Sequence, residues 1–255
     1  MRLRFNLKPN VFGSLNYLCH YTSFTNLCSI LSTMTLRISS YRNSNDIAEL
    51  DSNISCILNS NKTNEVEEYI ANQCGYISFS TNILDVEKDI ISKVGYLIPS
   101  MWGIYADKSK GACLVLDEEI LKKENQKELL GAEWYDFIDV SYAPWQSLKL
   151  VSAKETTQSI VKNNYCHLLG FKHYSWSCEQ ERRLIGVGLP NTISLKKGVI
   201  KGIVLGKNVS EKNKKMLYSI LDDKNLACFR QVNRSQFVIQ EFIGGNVVTS
   251  NYGEF

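Results

Sequence analysis

Apolar and polar positions along this chain switch between a period of two and a period near 3.6 at irregular intervals, which predicts short strands and helices in mixed order. Leu18 to His20 reads as a short strand. Thr22-Ser23 can then cap a helix whose apolar positions fall at Phe24, Leu27, Ile30 and Leu31. Thr35 to Ser39 predicts a strand, and the polar stretch SSYRNSNDIAEL predicts a loop. Helical spacing runs from about Ile47 to Gln73, and Gly75 to Ser80 predicts a strand ending in a loop. A helical or irregular stretch begins at Met101, and Gly111 to Leu116 predicts an apolar strand. The aromatic-rich region to about Leu150 reads as strands and packed loops. Helical character returns between Ser152 and Leu169, and Trp176 to Val187 and Gly198 to Leu205 predict strands. A helix over Asn208 to Asp222 and one or two strands over Cys228 to Ile243 close the chain.

Successive strands do not end in glycine-rich turns, which argues against a doubly wound nucleotide-binding sheet. The expectation is a single α+β domain over residues 1–255, with a mixed or antiparallel sheet and surrounding helices. Nothing rich in Gly, Ser or Pro divides the chain, and it contains no internal repeat.

Composition narrows the function classes. The 255 residues, 44% apolar and 22% charged, are enough for a substantial core. The net charge of +3 arises from basic residues scattered among acidic ones, not from the clusters that mark a dedicated nucleic-acid binder. No apolar run reaches the roughly 20 residues that span a bilayer. The start, MRLRFNLKPN, lacks an apolar signal core, so the expected location is the cytoplasm and no membrane partner is expected. The eight cysteines are spread singly without a CxxC pair, which predicts reduced and mostly buried thiols.

Three places hold candidate chemistry. His20 lies where a strand gives way to a helix, so its side chain and nearby backbone amides can face a ligand; a buried histidine bonded to a carbonyl is the plain alternative. A strand over Trp176 to Ile185 would put Glu179, Glu181 and Arg183 on one face and Gln180, Arg182 and Leu184 on the other. Such a row can orient a carboxylate through a bidentate arginine, and it can equally be a solvated charged face. Tyr174 and Trp176 just upstream could wall a pocket. Cys19 and His20 point to opposite faces of their strand and are poorly placed for proton transfer to each other. The three histidines lack the spacing of a zinc site, so no metal is expected there, and P-loop, GxGxxG, GxSxG and HExxH signatures are all missing.

The ordered motifs LCHYTSFTNLCSILSTMTLRIS, NSNDIAEL, ISFST, MWGIYADKSKGACLVLD, KHYSWSCEQERRLI and IKGIVLGKNVS resemble the bacterial family catalogued as domain of unknown function 2971, over nearly the whole chain. That family name implies no activity. The His-x-Thr strand, the serine- and aromatic-containing middle strand and the late glutamate also resemble ADP-ribosyltransferases of the diphtheria-toxin and poly-ADP-ribose-polymerase type. This second resemblance implies an ADP-ribosyltransferase-like fold with NAD as substrate. It implies that His20 and Thr22 lie on the first motif, with His20 bonded to the adenosine ribose and the Tyr21 backbone to the nicotinamide amide. Ser78 or Ser80 would line the ribose site, Phe79 or Tyr105 would stack on nicotinamide, and Glu181 or Glu179, beside Arg183, would be the catalytic carboxylate. The residue after His20 is Tyr where the polymerase branch has glycine, and the middle strand lacks a tyrosine in the usual place.

The leading expectation is therefore an NAD-dependent ADP-ribosyltransferase or NAD glycohydrolase, of the kind used as a bacterial toxin or phage-defence effector. Its partners would be NAD, a protein or nucleic-acid acceptor, and an antitoxin or other defence component. Two alternatives stay open: a non-catalytic nucleotide or nucleic-acid binding module, and a nucleic-acid hydrolase whose Asp46, Glu49, Glu179 and Glu181 hold a divalent ion.

Overall fold

The computed structural model describes residues 16–43, 53–54, 62–85, 90–144, 155–224, 228–234 and 237–244. Its strands are β1 (Tyr17–Thr22), β2 (Thr35–Arg37), β3 (Ser39–Ser40), β4 (Cys74–Thr81), β5 (Ile83–Asp85), β6 (Ile90–Lys93), β7 (Ala112–Asp117), β8 (Trp134–Asp139), β9 (Ser141–Ala143), β10 (Phe171–His173), β11 (Glu181–Val187), β12 (Thr192–Ser194), β13 (Ile200–Leu205), β14 (Cys228–Arg234) and β15 (Phe237–Gly244). The α+β class is as expected. Two compact units, each discontinuous in sequence, make up the chain: one from residues 1–34, 80–121 and 195–255, the other from 35–79 and 122–194.

In the first unit β1 pairs antiparallel with β7 along its whole length, with His20 opposite Leu114. Antiparallel β13 and then parallel β14 extend the sheet beyond β7, so it is mixed. On its other side β1 pairs with the end of β4 through Leu18↔Thr81 and Cys19↔Ser80. The β7 run ACLVL is buried throughout because both of its faces are covered. Cys19, Tyr21, Tyr96, Met101, Trp102 and Val115 form one core. The helix Phe24–Thr33 follows β1, and Ser23 caps it by accepting from the Asn26 amide at 3.2 Å, as the sequence predicts.

A strained turn leads into β7. Asp107, Lys108 and Ser109 have φ of 45°, 52° and 63°, three successive non-glycine residues in the left-handed region. The helix Pro99–Ile104 and the turn that follows β13 hold them there. The Lys108 and Ser109 amides donate to Gly103 and Trp102 carbonyls at 3.2 and 2.9 Å, and Asn208 donates from its backbone to Ser109 and from its side chain to Lys108, each at 2.9 Å. Gly206 packs so closely that a Cβ there would lie 2.2 Å from the Ser109 carbonyl oxygen. Lys108 is exposed, so Lys108→Gly should remove Cβ strain without losing packing. The expected gain is about 1 kcal/mol, seen as a rise of roughly 2–4 °C in Tm. An unchanged or lower Tm would mean that the turn stores little strain.

The second unit has β4, β11 and β8 side by side, with β11 antiparallel to β8 and β3 antiparallel to β4. Helices Thr63–Gln73 and Thr157–Asn163 bury Val66, Ile70, Ile160 and Val161 in a core shared with Tyr41, Tyr76, Leu168 and Ile185. The helical stretch expected from Ser152 to Leu169 is two short helices, Thr157–Asn163 and Tyr165–Leu168, separated at Asn164. One strand expectation is corrected. Tyr174–Glu179 forms a 3-10 helix and Gln180 is left-handed with φ 51°, so the strand begins only at Glu181. Serines at 175 and 177 and the polar pair Glu179-Gln180 favour a tight turn over a strand whose alternation could not bury both Glu179 and Gln180.

Candidate functional site

Glu181 opens β11 and Arg183 follows two residues later, so both side chains point to the same face. Both are buried, Glu181 at 5% and Arg183 at 1% exposure. Arg182 points the other way and meets exposed Asp139 at 2.8 Å. This part of the expected row is present in the structure, although Glu179 reaches the cluster from the 3-10 helix and not from the strand.

Four donors surround the Glu181 carboxylate. Arg183 Nε donates to Oε1 at 2.6 Å and Nη2 to Oε2 at 3.0 Å, a bidentate pair. Lys172 Nζ, from β10, lies 2.8 Å from Oε2 and also 2.8 Å from Glu179 Oε2. The Ser78 hydroxyl, from β4, donates to Oε1. Burial alone would raise the Glu181 pKa, but the charges of Arg183 and then Lys172 outweigh it and hold the carboxyl down at about 2. The cluster contains two carboxylates and two cations, so its formal charge cancels.

Neighbouring groups fix the cations. Arg183 Nη1 donates to the Leu169 carbonyl at 2.6 Å, and its guanidinium lies 5.2 Å from the Tyr76 ring centroid and 5.9 Å from that of Tyr41. Lys172, itself buried, stands 5.6 Å from the Trp176 ring centroid. The Glu181 amide donates to the Tyr142 hydroxyl at 2.9 Å, and burial with the adjacent carboxylate pushes the Tyr142 phenol up. Trp176 therefore backs a charged group, as a wall residue would, whereas Tyr174 is 56% exposed. Lys172, Tyr142, Tyr41 and Tyr76 were not expected from the sequence as site residues. Lys172 sits between Phe171 and His173 in an unremarkable three-residue strand, and nothing in that local pattern marks it as buried.

The other candidates distribute between the units. His20, Tyr21, Thr22, Ser80 and Tyr105 belong to the first unit, and Ser78, Phe79, Glu179, Glu181 and Arg183 to the second. His20 is half-buried between buried Cys19 and Tyr21, and Leu18 and Thr22 on its own strand face are buried as well, so both faces of β1 are covered around it. Tyr21 is locked in the core: its hydroxyl donates to the Gly95 carbonyl at 2.8 Å and accepts from the Ile98 amide at 3.2 Å, and its ring meets Trp102 edge-on at 5.2 Å. Burial pushes its phenol well up. Thr22, Phe79 and Ser80 are buried, and Ser80 Oγ has no hydrogen-bond partner among the described residues. Tyr105 is half-buried just beyond the helix Pro99–Ile104.

Asp46 and Glu49 lie outside the described residues. Among the described residues no group of three His, Cys, Asp or Glu side chains is placed to hold a metal ion. Among the described residues no disulfide joins Cys19, Cys28, Cys74, Cys113, Cys166 or Cys178; Cys19, Cys74 and Cys113 are buried, while Cys166 and Cys178 are exposed. No described helix is long and apolar enough to cross a membrane.

Residues 101–184 match the family described as protein of unknown function DUF2971. The match takes in the Met101-Trp102 motif, Lys172, Glu179, Glu181 and Arg183, so the resemblance read from the sequence is shown over that segment. His20 and Ser78 lie before it. Among solved structures the chain is similar to DarT from Thermus sp. 2.9, determined in complex with carba-NAD+, at 13% identity and a TM-score of 0.33, over 82% of this chain and 90% of that one. No curated protein matches the chain.

Proposed function

We infer that this chain cleaves the bond between nicotinamide and ribose in NAD, passing ADP-ribose to an acceptor or to water. The observation that supports this reading most directly is the hydrogen bond between Ser78 and Glu181, which joins the second and third sequence motifs within one buried cluster. Cleavage of that bond develops positive charge on the ribose, with the bonding electrons leaving on the nicotinamide nitrogen. A carboxylate that is ionised at every physiological pH and rigidly oriented suits the offsetting role, and Glu181 meets both conditions. In this reading Glu181 is the catalytic carboxylate, Arg183 and Glu179 hold its setting, and Ser78 lies beside it.

His20, Thr22, Ser80 and the Tyr21 backbone would bind the remainder of NAD, with Phe79 or Tyr105 against nicotinamide. The register pairs between β1 and β4 end at Cys19, so the backbone of Tyr21 extends past that ladder. The acceptor would be a protein or a nucleic acid, and a toxin or phage-defence role with an antitoxin partner in the cytoplasm is the biological setting this chemistry fits.

The test is release of free nicotinamide from NAD by the purified chain, in the presence of a chelator and with lysate as acceptor source. Wild type is expected to release it, and Glu181→Gln to lose roughly 100-fold or more of the rate. Equal release by the variant would overturn the assignment of Glu181. No release and no NAD-dependent thermal shift would overturn the function, and a Glu181→Gln protein that only melts earlier would assign the cluster to stability.

A further inference from the structure

Strand β8 presents two chemically different faces. Trp134 and Asp136 point toward Tyr165: the Trp134 and Tyr165 ring centroids are 5.4 Å apart, and the Tyr165 hydroxyl donates to Asp136 Oδ2 at 2.8 Å. Period-two alternation sends Tyr135 and Phe137 the other way. There a cleft of about 340 Å³ is lined by Tyr135, Phe137, Lys122, Lys123, Gln126 and Leu129, with Asp136 also at its edge. The Lys122 ammonium stands 4.5 Å above the Phe137 ring centroid, and Lys123 is exposed beside it. Lys122 and Lys123 outnumber the one carboxylate, Asp136, among the residues that line the cleft. Asp136 Oδ2 accepts from the Tyr165 hydroxyl, and its Oδ1 accepts from the Phe137 amide at 2.7 Å.

We propose that this cleft binds a nucleotide, with the base against Tyr135 and Phe137 and the phosphate at Lys122 and Lys123. Half-buried Tyr135 offers a ring on which any base can stack, beside buried Phe137, which carries Lys122 over its ring. A pair of ammonium groups along the rim supplies the phosphate contact, and Lys122 is already positioned by its ring. Gln126 carries both a donor and an acceptor for a base edge. The volume lies in the range of small-molecule pockets and exceeds what a phenyl phosphate would fill. The same chemistry can come from a free nucleotide or from a residue of a single strand. None of these side chains takes part in the NAD reading, so the cleft stands independently of it.

The test uses calorimetric titration of the full chain with AMP, inorganic phosphate, adenosine and a five-residue single-stranded oligonucleotide. Saturable AMP binding is expected, with phosphate and adenosine each much weaker. Tyr135→Ala and Lys123→Glu are each expected to weaken AMP binding roughly tenfold, with unchanged melting and unchanged nicotinamide release. A single strand that binds more tightly than AMP, with the same sensitivity to both variants, supports the site and makes the strand its source. AMP bound without the strand supports a free nucleotide. Undiminished AMP binding by the folded Lys123→Glu and Tyr135→Ala proteins, or no AMP binding by wild type, would overturn the proposal.

Discussion

Arg183→Met is expected to lower the unfolding free energy by about 3–5 kcal/mol, the cost of leaving a buried carboxylate short of its main partner. The guanidinium is 1% exposed and gives three of its donors to Glu181 and the Leu169 carbonyl, so the methionine leaves Glu181 facing Lys172 and Ser78 alone and strands a backbone acceptor. It also removes the cation that lies against Tyr41 and Tyr76. Arg182→Met is the control on the same strand, because its partner Asp139 is exposed and such pairs contribute about 1 kcal/mol or less. Urea unfolding of both variants measures the difference. Equal losses would mean that the buried network is worth no more than a surface pair.

A second large effect is expected in acid. The Glu181 pKa is near 2 in the folded chain against an ordinary value of 4.5, so the folded state favours the ionised form. That preference contributes stability fully above about pH 4.5 and loses it as pH falls toward 2, because the unfolded chain takes up the proton first. A shift from 4.5 to about 2 corresponds to roughly 3 kcal/mol. Subtracting the pH dependence of Glu181→Gln from that of wild type isolates this contribution from the other carboxylates. The two stability curves should lie furthest apart above pH 4.5 and converge toward pH 2. Parallel curves over that range would show that Glu181 titrates alike in both states.

Much of the fold was legible because local rules acted alone. Ser23 caps the helix Phe24–Thr33 with its own hydroxyl, and the alternation through Glu181, Arg182 and Arg183 places the first and third on one face whatever packs there. Aromatic content around Trp176 suits a strand and so predicts one that starts too early, while the left-handed turn at Gln180 depends on backbone geometry that side-chain periodicity does not record. Likewise, the positive φ values at Asp107, Lys108 and Ser109 are sustained by Trp102, Gly103, Gly206 and Asn208, two of them almost 100 residues away in the chain. No local propensity foretells three such residues in succession.

Neighbouring residues in the chain fix its alternation of strands and helices, the helix cap that ends its early strand, and the Glu-x-Arg pair on one strand face. Those outcomes follow from interactions between residues a few positions apart. Tertiary structure alone decided that this pair is buried, because burial of Glu181 and Arg183 requires Lys172 from another strand, Ser78 from another and the carbonyl of Leu169 to supply partners that water would otherwise provide. It alone also decided that Tyr135 and Phe137 face two lysines across a cleft, since the helix carrying Lys122 and Lys123 reaches that strand face only through packing.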